Sequence, residues 1–443
     1  MSLIFWVNII ALLFSFFVIG AVLGAFFFHT RTGQVVVAEM RQRLRVLMFG
    51  WEFPPFNSGG LGVACLGLVR ALSGKNLDIV FVMPKHLPES VPYAKMVSAD
   101  IEATVHTFNS PVTPYASSAS YAKYTDGTPV YGSDLVSEAK RYAEFGAEIA
   151  AREPHDLIYA HDWLSFGAGR AAKRVSKKPF IAHVHSTEFD RTGGGAVDQN
   201  IYDLERAGMH GADRVIAVSG RTKDTVVDRY DVSPHKVQVV WNGIDTVTAP
   251  APCPATPARL AALKKAGYRL VLFMGRITIQ KGPDYFVHAA RRVIDRNPNV
   301  LFVLAGSGNM ERQMMHLAAS LGIADKILFP GFLRGAELHE AYELADLFVM
   351  PSVSEPFGLA ALEAMRIGTP VIISKQSGIA EAVSALQVDF WDVEKMADLI
   401  LSVLNSLVLW EKLSKKGVTE AASLTWDLSA DKIRGVVDEL VPV

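Results

Sequence analysis

Two glutamates near the end of the chain, Glu355 and Glu363, are spaced so that both could contact one extended ligand. They flank a Pro-Phe-Gly-Leu sequence and follow a buried-strand pattern at 346–351. The apolar spacing after them predicts a helix that begins at Pro356, whose fixed φ suits a first helical residue, and ends at Gly368. Glu355 would then lie beside the unpaired amides of the first helical turn, where anions bind. Glu363 would lie roughly 12 Å further along the helix axis.

A nucleotide diphosphate sugar fits this spacing. In that arrangement Glu355 faces the sugar, the amides at the helix start hold the diphosphate, and Glu363 accepts hydrogen bonds from the ribose hydroxyls. The alternative interpretation is an ordinary amphipathic helix whose glutamates are solvated or paired with basic residues. Basic residues and glycine-rich turns elsewhere in the chain favour the first interpretation.

A pair of basic residues follows another predicted strand. The run 270–275 is apolar, Arg276 comes next, and Lys281 precedes a predicted helix at about 283–296. The C-terminal ends of strands in open α/β sheets form ligand sites. Arginine offers phosphate oxygens a planar fork of donors, and lysine offers a mobile point charge. Arg276 and Lys281 are therefore candidate phosphate ligands, although basic residues at strand ends are often only solvated.

The N-terminal half contributes a glycine-rich turn and a histidine, each after a predicted strand. Gly59 and Gly60 lie between a strand at 45–50 and a predicted helix. Paired glycines at such a turn let backbone amides approach a phosphate or a sugar closely. His161 ends a second strand, on the edge where ligands bind. An isolated histidine at a strand end is more often structural than catalytic, so the choice between these two roles for His161 depends on the surrounding sequence.

Together these groups resemble the signature of retaining glycosyltransferases with the GT-B fold. The most similar groups are the family 4 (group 1) enzymes and the glycogen or starch synthase-like enzymes. The resemblance covers about 45–383 and includes, besides the two glutamates, Gly275-Arg276 with Lys281-Gly282, Gly59-Gly60-Leu61 and His161-Asp162-Trp163. One departure is Asn57, where many starch synthases have a lysine. It counts against a donor specificity restricted to ADP-glucose.

The resemblance implies a role for each group. It makes Glu355 and His161 the catalytic candidates. The residues that it assigns to donor binding are Gly59, Gly60, Arg276, Lys281, Phe357, Gly358, Leu359 and Glu363. It implies no metal ion and no cofactor besides the donor substrate. The chain has no Asp-x-Asp sequence at a predicted strand end, and the basic pair with the helix amides can balance the charge of a leaving diphosphate.

The expected function is the retaining transfer of a hexose from a UDP- or ADP-glucose-type donor to a hydroxyl acceptor, with a glucan as the first candidate. A membrane-associated glycosyltransferase that builds a glycolipid or an exopolysaccharide is the alternative, with a lipid-linked acceptor. Two further hypotheses share the nucleotide site. A sugar-nucleotide epimerase of the same shape would consume donor without any acceptor. A non-catalytic sugar-nucleotide binder would have no use for the complete set of candidate residues.

Length, charge and composition fit two α/β domains that do not bind nucleic acid. The chain has 443 residues, a net charge of −1 and no long basic segment, and Cys65 and Cys253 lack metal-ligand spacing. Strand and helix patterns alternate in two series, which predicts two Rossmann-like, doubly wound domains facing a cleft. The predicted boundaries are 1–44 for a membrane segment and basic flank, 45–248 for the acceptor-side domain, 249–268 for an Ala/Pro-rich linker, 269–425 for the nucleotide-sugar domain and 426–443 for a C-terminal helix. The resemblance to the family implies that this helix returns to the first domain.

The N-terminal segment predicts a single transmembrane helix. The 26 residues from Leu3 to Phe28 carry no charge, and about 20 apolar residues span a bilayer. Arginines at positions 31, 41, 43 and 45 follow, against one acidic residue, Glu39. The positive-inside rule then places the catalytic domains in the cytoplasm. If translation starts at Met40, a soluble cytoplasmic protein is expected instead.

We expect the native full-length protein to stay in the membrane fraction after high-salt and carbonate washes, because an uncharged span of this length partitions into lipid. The same chain started at Met40 should be soluble and still catalytic, since every motif lies downstream. Fractionation and mass spectrometry of the native N-terminus check this. Native protein found only in the soluble fraction, with Met40 as its first residue, would rule out the anchor.

Overall fold

The computed structural model describes residues 43–53, 60–84, 93–98, 101–108, 135–245 and 257–442. The predicted membrane helix, Gly59 and the part of the predicted linker at 249–256 lie outside these ranges. Within them, no helix is both long enough and apolar enough to cross a bilayer. Two sheets organise the described residues, and both belong to one compact unit.

The first sheet has eight strands and defines what is here called the first lobe. Its strands are β1 Leu44–Phe49, β2 Leu77–Pro84, β3 Tyr93–Ser98, β4 Ile101–Phe108, β5 Leu157–His161, β6 Phe180–Val184, β7 Arg214–Ala217 and β8 Val237–Val239. Their order is β3-β4-β2-β1-β5-β6-β7-β8. Strands β5 and β6 are buried along their whole length. Such continuous apolar runs are typical of parallel strands with helices on both faces.

Within the described ranges, six helices accompany this sheet. They are α1 Gly60–Ser73, α2 Leu135–Arg152, α3 Asp162–Ser176, α4 Glu188–Arg191, α5 Gln199–Gly211 and α6 Gly220–Tyr230. Local capping sets where several of them begin. The side chain of Asp198 accepts hydrogen bonds from the first-turn amides of α5, and that of Ser219 does so for α6. Helix α3 begins directly at the end of β5, so the side chain that ends this strand is fixed by both elements.

The second sheet has six strands and defines the second lobe. Its strands are β9 Arg269–Met274, β10 Val300–Ala305, β11 Ile327–Gly331, β12 Leu347–Met350, β13 Val371–Ser374 and β14 Leu386–Val388, in the order β11-β10-β9-β12-β13-β14. All its pairings are parallel. Its helices are α7 Pro257–Lys265, α8 Pro283–Arg296, α9 Glu311–Ser320, α10 Gly335–Leu344, α11 Leu359–Ile367, α12 Val393–Leu404 and α13 Leu407–Ala422, and α14 Trp426–Leu440 follows.

The prediction of two α/β sheets is confirmed, with one local difference in the first. The segment 86–134 is rich in Ser, Thr, Ala, Pro and Tyr and interrupts the alternation of strand and helix patterns, yet it contributes β3 and β4 to the sheet. Strand β4 pairs in parallel with β2, and β3 pairs antiparallel with β4 at the sheet edge. The sequence of β4, Ile-Glu-Ala-Thr-Val-His-Thr-Phe, carries the β-branched residues that favour strands. Its Ser- and Pro-rich surroundings obscured that signal.

The last helix, α14, returns to the first lobe and packs against α1. The approach is close, because a Cβ atom added at Gly67 of α1 would lie 2.3 Å from the indole ring of Trp426. Backbone contacts support the crossing, since the amide of Ile244 donates to the carbonyl oxygen of Leu424 at 2.9 Å. The hydroxyl of Ser429 also donates to the carbonyl oxygen of Trp241 at 2.7 Å. Gly67 is therefore the contact point that lets the chain end lie on the first lobe.

We expect Gly67→Ala to destabilise the protein by about 1–3 kcal/mol, because the new methyl group overpacks the contact with Trp426. Gly435→Ala is the matched control, since no atom lies within 4 Å of a Cβ atom there. It should leave stability unchanged or raise it by about 0.5–1 kcal/mol, the usual helix gain of alanine over glycine. Urea unfolding of both variants checks this. Equal stability of the two variants would contradict the close crossing.

Candidate active site

The predicted functional groups follow the central strands of both sheets, where the strand order reverses. These strands are β1 and β5 in the first lobe and β9 and β12 in the second. At such switch points a crevice opens beyond the carboxyl ends of the strands. Gly60 follows β1, His161 ends β5, Arg276 and Lys281 follow β9, and Glu355 follows β12. The topology therefore places each group at a ligand-binding edge.

Glu355 lies in a loop and not in the first turn of a helix. Helix α11 begins at Leu359, with Gly358 as its N-cap at φ 121°. The predicted start at Pro356 is therefore wrong. The left-handed conformation of Gly358 interrupts any helical backbone before it, and glycine adopts that conformation at little cost. The predicted end of the helix is confirmed, since Gly368 caps α11 at φ 100°.

The backbone on either side of Glu355 is fixed without any ligand. Glu355 forms an isolated parallel bridge with Ser377. The Glu355 amide donates to the carbonyl oxygen of Gln376 at 3.0 Å, and its own carbonyl oxygen accepts from the amide of Gly378 at 2.8 Å. The direction of the glutamate side chain is thus set by the turn after β13.

The side chain of Glu355 forms an ion pair with Lys281. The Lys281 Nζ donates to Glu355 Oε2 at 2.5 Å, and the hydroxyl of Ser352 donates to the same oxygen at 3.2 Å. The exposed fraction of the side chain is 8% for the glutamate and 20% for the lysine. A carboxylate this buried is stable only when it is paired and hydrogen-bonded. The structure thus joins two residues that were predicted in separate motifs.

Arg276 belongs to the same contact region. Its Nη2 donates to Gln280 Oε1 at 2.8 Å. Gln280 is buried, and its backbone carbonyl oxygen accepts hydrogen bonds from the amides of Val353 and Ser354 at 2.9 and 3.3 Å. The turn after β9, which carries both predicted phosphate ligands, is therefore tied directly to the loop that carries the catalytic candidate.

Glu363 lies in α11 and is bound to a tyrosine of α10. The hydroxyl of Tyr342 donates to Glu363 Oε2 at 2.9 Å. Burial raises the pKa of Glu363 to about 7, and the hydrogen bond from Tyr342 opposes this rise. A carboxyl group with a pKa near neutrality changes its hydrogen-bonding character over the physiological range. It accepts at both oxygens when ionised and donates from one when protonated.

The glycine turn of the first lobe meets the start of α11 in the second. A Cβ atom added at Gly60 would lie 3.8 Å from a methyl group of Leu359. The first residues of α1 and α11 are therefore in close contact at the junction of the two lobes. Glu52 was not predicted from the sequence, yet it is buried here and its Oε2 accepts from the amide of Gly62 at 3.2 Å. The position of Glu52, shortly after the C-terminal end of β1, was the one feature of the sequence that could have indicated it.

His161 is fully buried at the C-terminal end of β5 in the first lobe. Its Nδ1 lies 2.9 Å from Nε2 of His185, while its buried Nε2 has no hydrogen-bond partner in the part of the chain that the structure describes. Burial lowers the pKa of His161 well below its usual value, and the neighbouring His185 lowers it further. The ring is therefore neutral near pH 7. Its unpartnered Nε2 is the open position that a substrate hydroxyl could occupy.

Two neighbours orient the histidines. Asp162 adopts a left-handed conformation at φ 58°, and its Oδ1 accepts from the amides of His185 and Ser186 at 2.6 and 3.2 Å. Burial raises the pKa of Asp162 to about 7, and the His185 amide opposes this. The hydroxyl of Tyr159 lies 2.8 Å from Nδ1 of His183. Neither contact was predicted from the sequence, although Asp162 belongs to the His-Asp-Trp motif.

The three histidines are the group in the described ranges that could hold a metal ion. Potential ligand atoms of His161, His183 and His185 lie within 4.8 Å of one another. Nitrogens that bind one tetrahedral zinc ion at 2.0–2.1 Å stand roughly 3.3 Å apart. The 2.9 Å separation between His161 and His185 is instead that of a hydrogen bond. The present arrangement is a hydrogen-bonded pair with a third ring stacked beside it.

The side chain of Phe357, predicted to bind the donor, is buried in the core of the second lobe. Its carbonyl oxygen accepts from the amide of Ile379 at 2.7 Å. The Phe357 side chain therefore packs in the core, and its predicted role in donor binding stays a prediction. Four polar residues at the junction of the lobes make contacts that were not predicted from the sequence. They are Asp190, Ser219, Ser354 and Glu381, and their contacts join segments far apart in sequence, which no local pattern reports.

Comparisons with known proteins identify the family of this chain. Residues 258–419 match the model of glycosyl transferases group 1, and residues 58–248 match that of glycosyltransferase family 4. An uncharacterized glycosyltransferase of Methanocaldococcus jannaschii is 30% identical over 380 residues, which cover 81% of this chain and 87% of that protein. The chain belongs to glycosyltransferase family 4 (group 1). It is therefore a transferase.

The names of other relatives of this glycosyltransferase describe different activities. A glycogen synthase of Mycobacterium tuberculosis is 27% identical, with 77% of this chain and 80% of the relative covered. A D-inositol 3-phosphate glycosyltransferase of Frankia alni is 33% identical, with 65% and 75% covered. Among solved structures, sucrose-phosphate synthase from Thermosynechococcus elongatus has a TM-score of 0.72 at 21% identity, covering 90% of this chain and 99% of that one. This likeness shows the shared two-sheet fold.

We expect the affinity of the glycosyltransferase for UDP to rise about tenfold from pH 6 to pH 8. Only the ionised form of Glu363, whose pKa is about 7, can accept from both ribose hydroxyls. The affinity for UDP should therefore rise in proportion to the ionised fraction of Glu363. Phosphate ionisation of UDP contributes equally to a Glu363→Gln variant, which serves as the control. Calorimetric titrations of both proteins across this range check the difference. Parallel pH profiles would contradict a role for Glu363 at the ribose.

Proposed function

We propose that this glycosyltransferase transfers a hexose, with retention, from a nucleotide diphosphate sugar of the UDP-glucose type to a hydroxyl acceptor, with a glucan as the first candidate. The observation that carries the proposal is the ion pair between Lys281 and Glu355 at the start of α11. It puts a phosphate-binding cation and a carboxylate suited to a sugar within one ligand's reach.

The remaining residues fit the same ligand. Arg276 can offer its fork of donors to the diphosphate beside Lys281. The first-turn amides of α11, nine residues long, lack acceptors within the helix and favour the same anion. Glu363, further along α11, would take the ribose. Gly60 lets the first lobe approach from the opposite side, and His161 Nε2 would accept from a sugar hydroxyl.

The choice of donor rests on the relatives and on one residue. Structures of Anabaena HepE in complex with UDP and with UDP-glucose share the fold at TM-scores of 0.62 to 0.64. Asn57, in place of the lysine of many starch synthases, favours UDP-glucose over ADP-glucose. The glycogen synthase of M. tuberculosis supports a glucan acceptor.

The proposed chemistry needs no group beyond the donor and the acceptor. The bond between the anomeric carbon and the β-phosphate oxygen breaks, and the acceptor oxygen forms its bond on the face that the nucleotide leaves. The acceptor proton passes to the departing phosphate oxygen. Arg276, Lys281 and the α11 amides would stabilise the charge that develops there, the kind of electrostatic term that dominates many enzyme reactions.

A lipid-linked acceptor is the second candidate. The uncharged run at 3–28 favours it, because a membrane helix would hold the glycosyltransferase beside its substrate. In that case the product is a glycolipid or an exopolysaccharide precursor, and the donor site stays the same.

The test is a panel of UDP-, ADP- and GDP-sugars given to the protein started at Met40, with and without a glucan primer or a membrane extract. We expect turnover of a UDP-sugar that depends on the acceptor. Arg276→Ala should lower kcat/KM at least tenfold, since hydrogen bonds between charged groups are worth roughly 1.5–3 kcal/mol. Lys281→Ala should do the same, but it also leaves the buried Glu355 carboxylate unpaired, so Arg276 gives the cleaner result.

Arg292→Ala is the matched control, because Arg292 is a half-exposed arginine of α8 that pairs with Glu394. It should keep normal turnover. Donor consumption without any acceptor would point to an epimerase, and binding without turnover to a non-catalytic binder. Near-normal kcat/KM in the Arg276 variant would show that the diphosphate lies elsewhere.

A further inference from the structure

The loop that carries Glu355 is held from the opposite lobe on both sides of the glutamate. The hydroxyl of Ser354 donates to Asp190 Oδ1 at 2.6 Å. The hydroxyl of Ser219 donates to the carbonyl oxygen of Pro356 at 2.6 Å. Asp190 and Ser219 belong to the first lobe, and all four partners are buried. The first lobe therefore contacts both residues that flank the catalytic candidate.

The first-lobe partners are themselves fixed in place. Asp190 uses its second oxygen, Oδ2, to accept from both the amide and the hydroxyl of Thr187 at 2.8 Å, which closes the capping box of α4. Ser219 is the N-cap of α6, and its hydroxyl accepts from the amide of Thr222 at 3.1 Å. Each contact thus runs from the Glu355 loop into the start of a first-lobe helix.

A third contact joins the same elements. Glu381 of the second lobe accepts from the amides of Gly220 and Arg221 at 2.8 Å each, at the start of α6. A carboxylate there also interacts favourably with the positive end of the helix dipole. Glu381 closely follows the turn that forms the bridge with Glu355. These three contacts together form one seam between the lobes. None of them involves the candidate nucleotide-binding residues Arg276, Lys281 and Glu363.

We propose that Asp190 and Ser219 are positioning residues, which hold the Glu355 loop from the first lobe in addition to the contacts that it makes with the turn after β13. This inference rests on the proposed function, in which Glu355 faces the donor sugar. Glu363 bonds to Tyr342, and Arg276 bonds to Gln280, both within the second lobe. Nucleotide binding therefore survives the loss of the seam, whereas hexose transfer depends on it.

Ser354→Ala tests the inference most cleanly, because it removes the bond to Asp190 without touching the α4 cap. We expect kcat to fall at least about tenfold, since a buried hydrogen bond to a carboxylate is among the stronger kinds. The Kd for UDP should stay within about twofold of wild type. Ser429→Ala is the control, because it too removes the hydroxyl of a buried serine. That hydroxyl lies on α14 and donates to the carbonyl oxygen of Trp241. The Ser429 variant should keep wild-type kcat. An unchanged kcat in the Ser354 variant, or equal losses in kcat and UDP affinity, would overturn the proposal.

Hydrogen exchange gives a readout that needs no turnover. Amide exchange in residues 352–358 and 186–192 should increase in Ser354→Ala, relative to wild type and to Ser429→Ala. Unchanged exchange in both segments would overturn the positioning role. If the wild-type protein turns over no donor in the panel, the proposed function fails, while the exchange measurement still decides whether the first lobe holds this loop.

Discussion

The carboxylate of Glu355 is largely buried, and its ion pair with Lys281 compensates for the water that it has lost. An unpaired carboxylate at this depth would cost several kcal/mol. Lys281 meets it from the turn after β9, which is possible because β9 and β12 are neighbours in the sheet. In the proposed function, a bound diphosphate competes for the same ammonium group. Donor binding would then free the carboxylate for the sugar, so occupation of the site and readiness for transfer are linked.

The site leaves hydrogen-bonding capacity open on both sides of the cleft. In the first lobe, His161 is neutral and its buried Nε2 has no hydrogen-bond partner among the described residues. A buried polar atom without a partner costs free energy, and a ligand that satisfies it recovers that cost. In the second lobe, Tyr342 donates to Oε2 of Glu363, whose pKa is about 7. In the proposed function a donor that spans the lobes bonds to both groups.

The central strands and the motif positions followed from the sequence because continuous apolar runs mark buried parallel strands and the motifs come directly after them. The residue at which α11 begins was harder to predict from the sequence. Pro356 suits a helix start, yet the conformation of Gly358 delays the helix to Leu359. Contacts between distant segments had no local signal at all. Asp190 and Ser354 meet across the lobes, and neither residue type at its own position predicts the other.

A crystal structure with UDP-2-fluoro-glucose tests the central claim most directly, namely that one ligand spans Glu355, Lys281 and Glu363. The account predicts that Lys281 Nζ leaves Glu355 for the diphosphate, that Glu363 lies within hydrogen-bonding distance of both ribose hydroxyls, and that Glu355 contacts the sugar. A nucleotide bound away from the start of α11, with the ion pair between Lys281 and Glu355 intact, would contradict it.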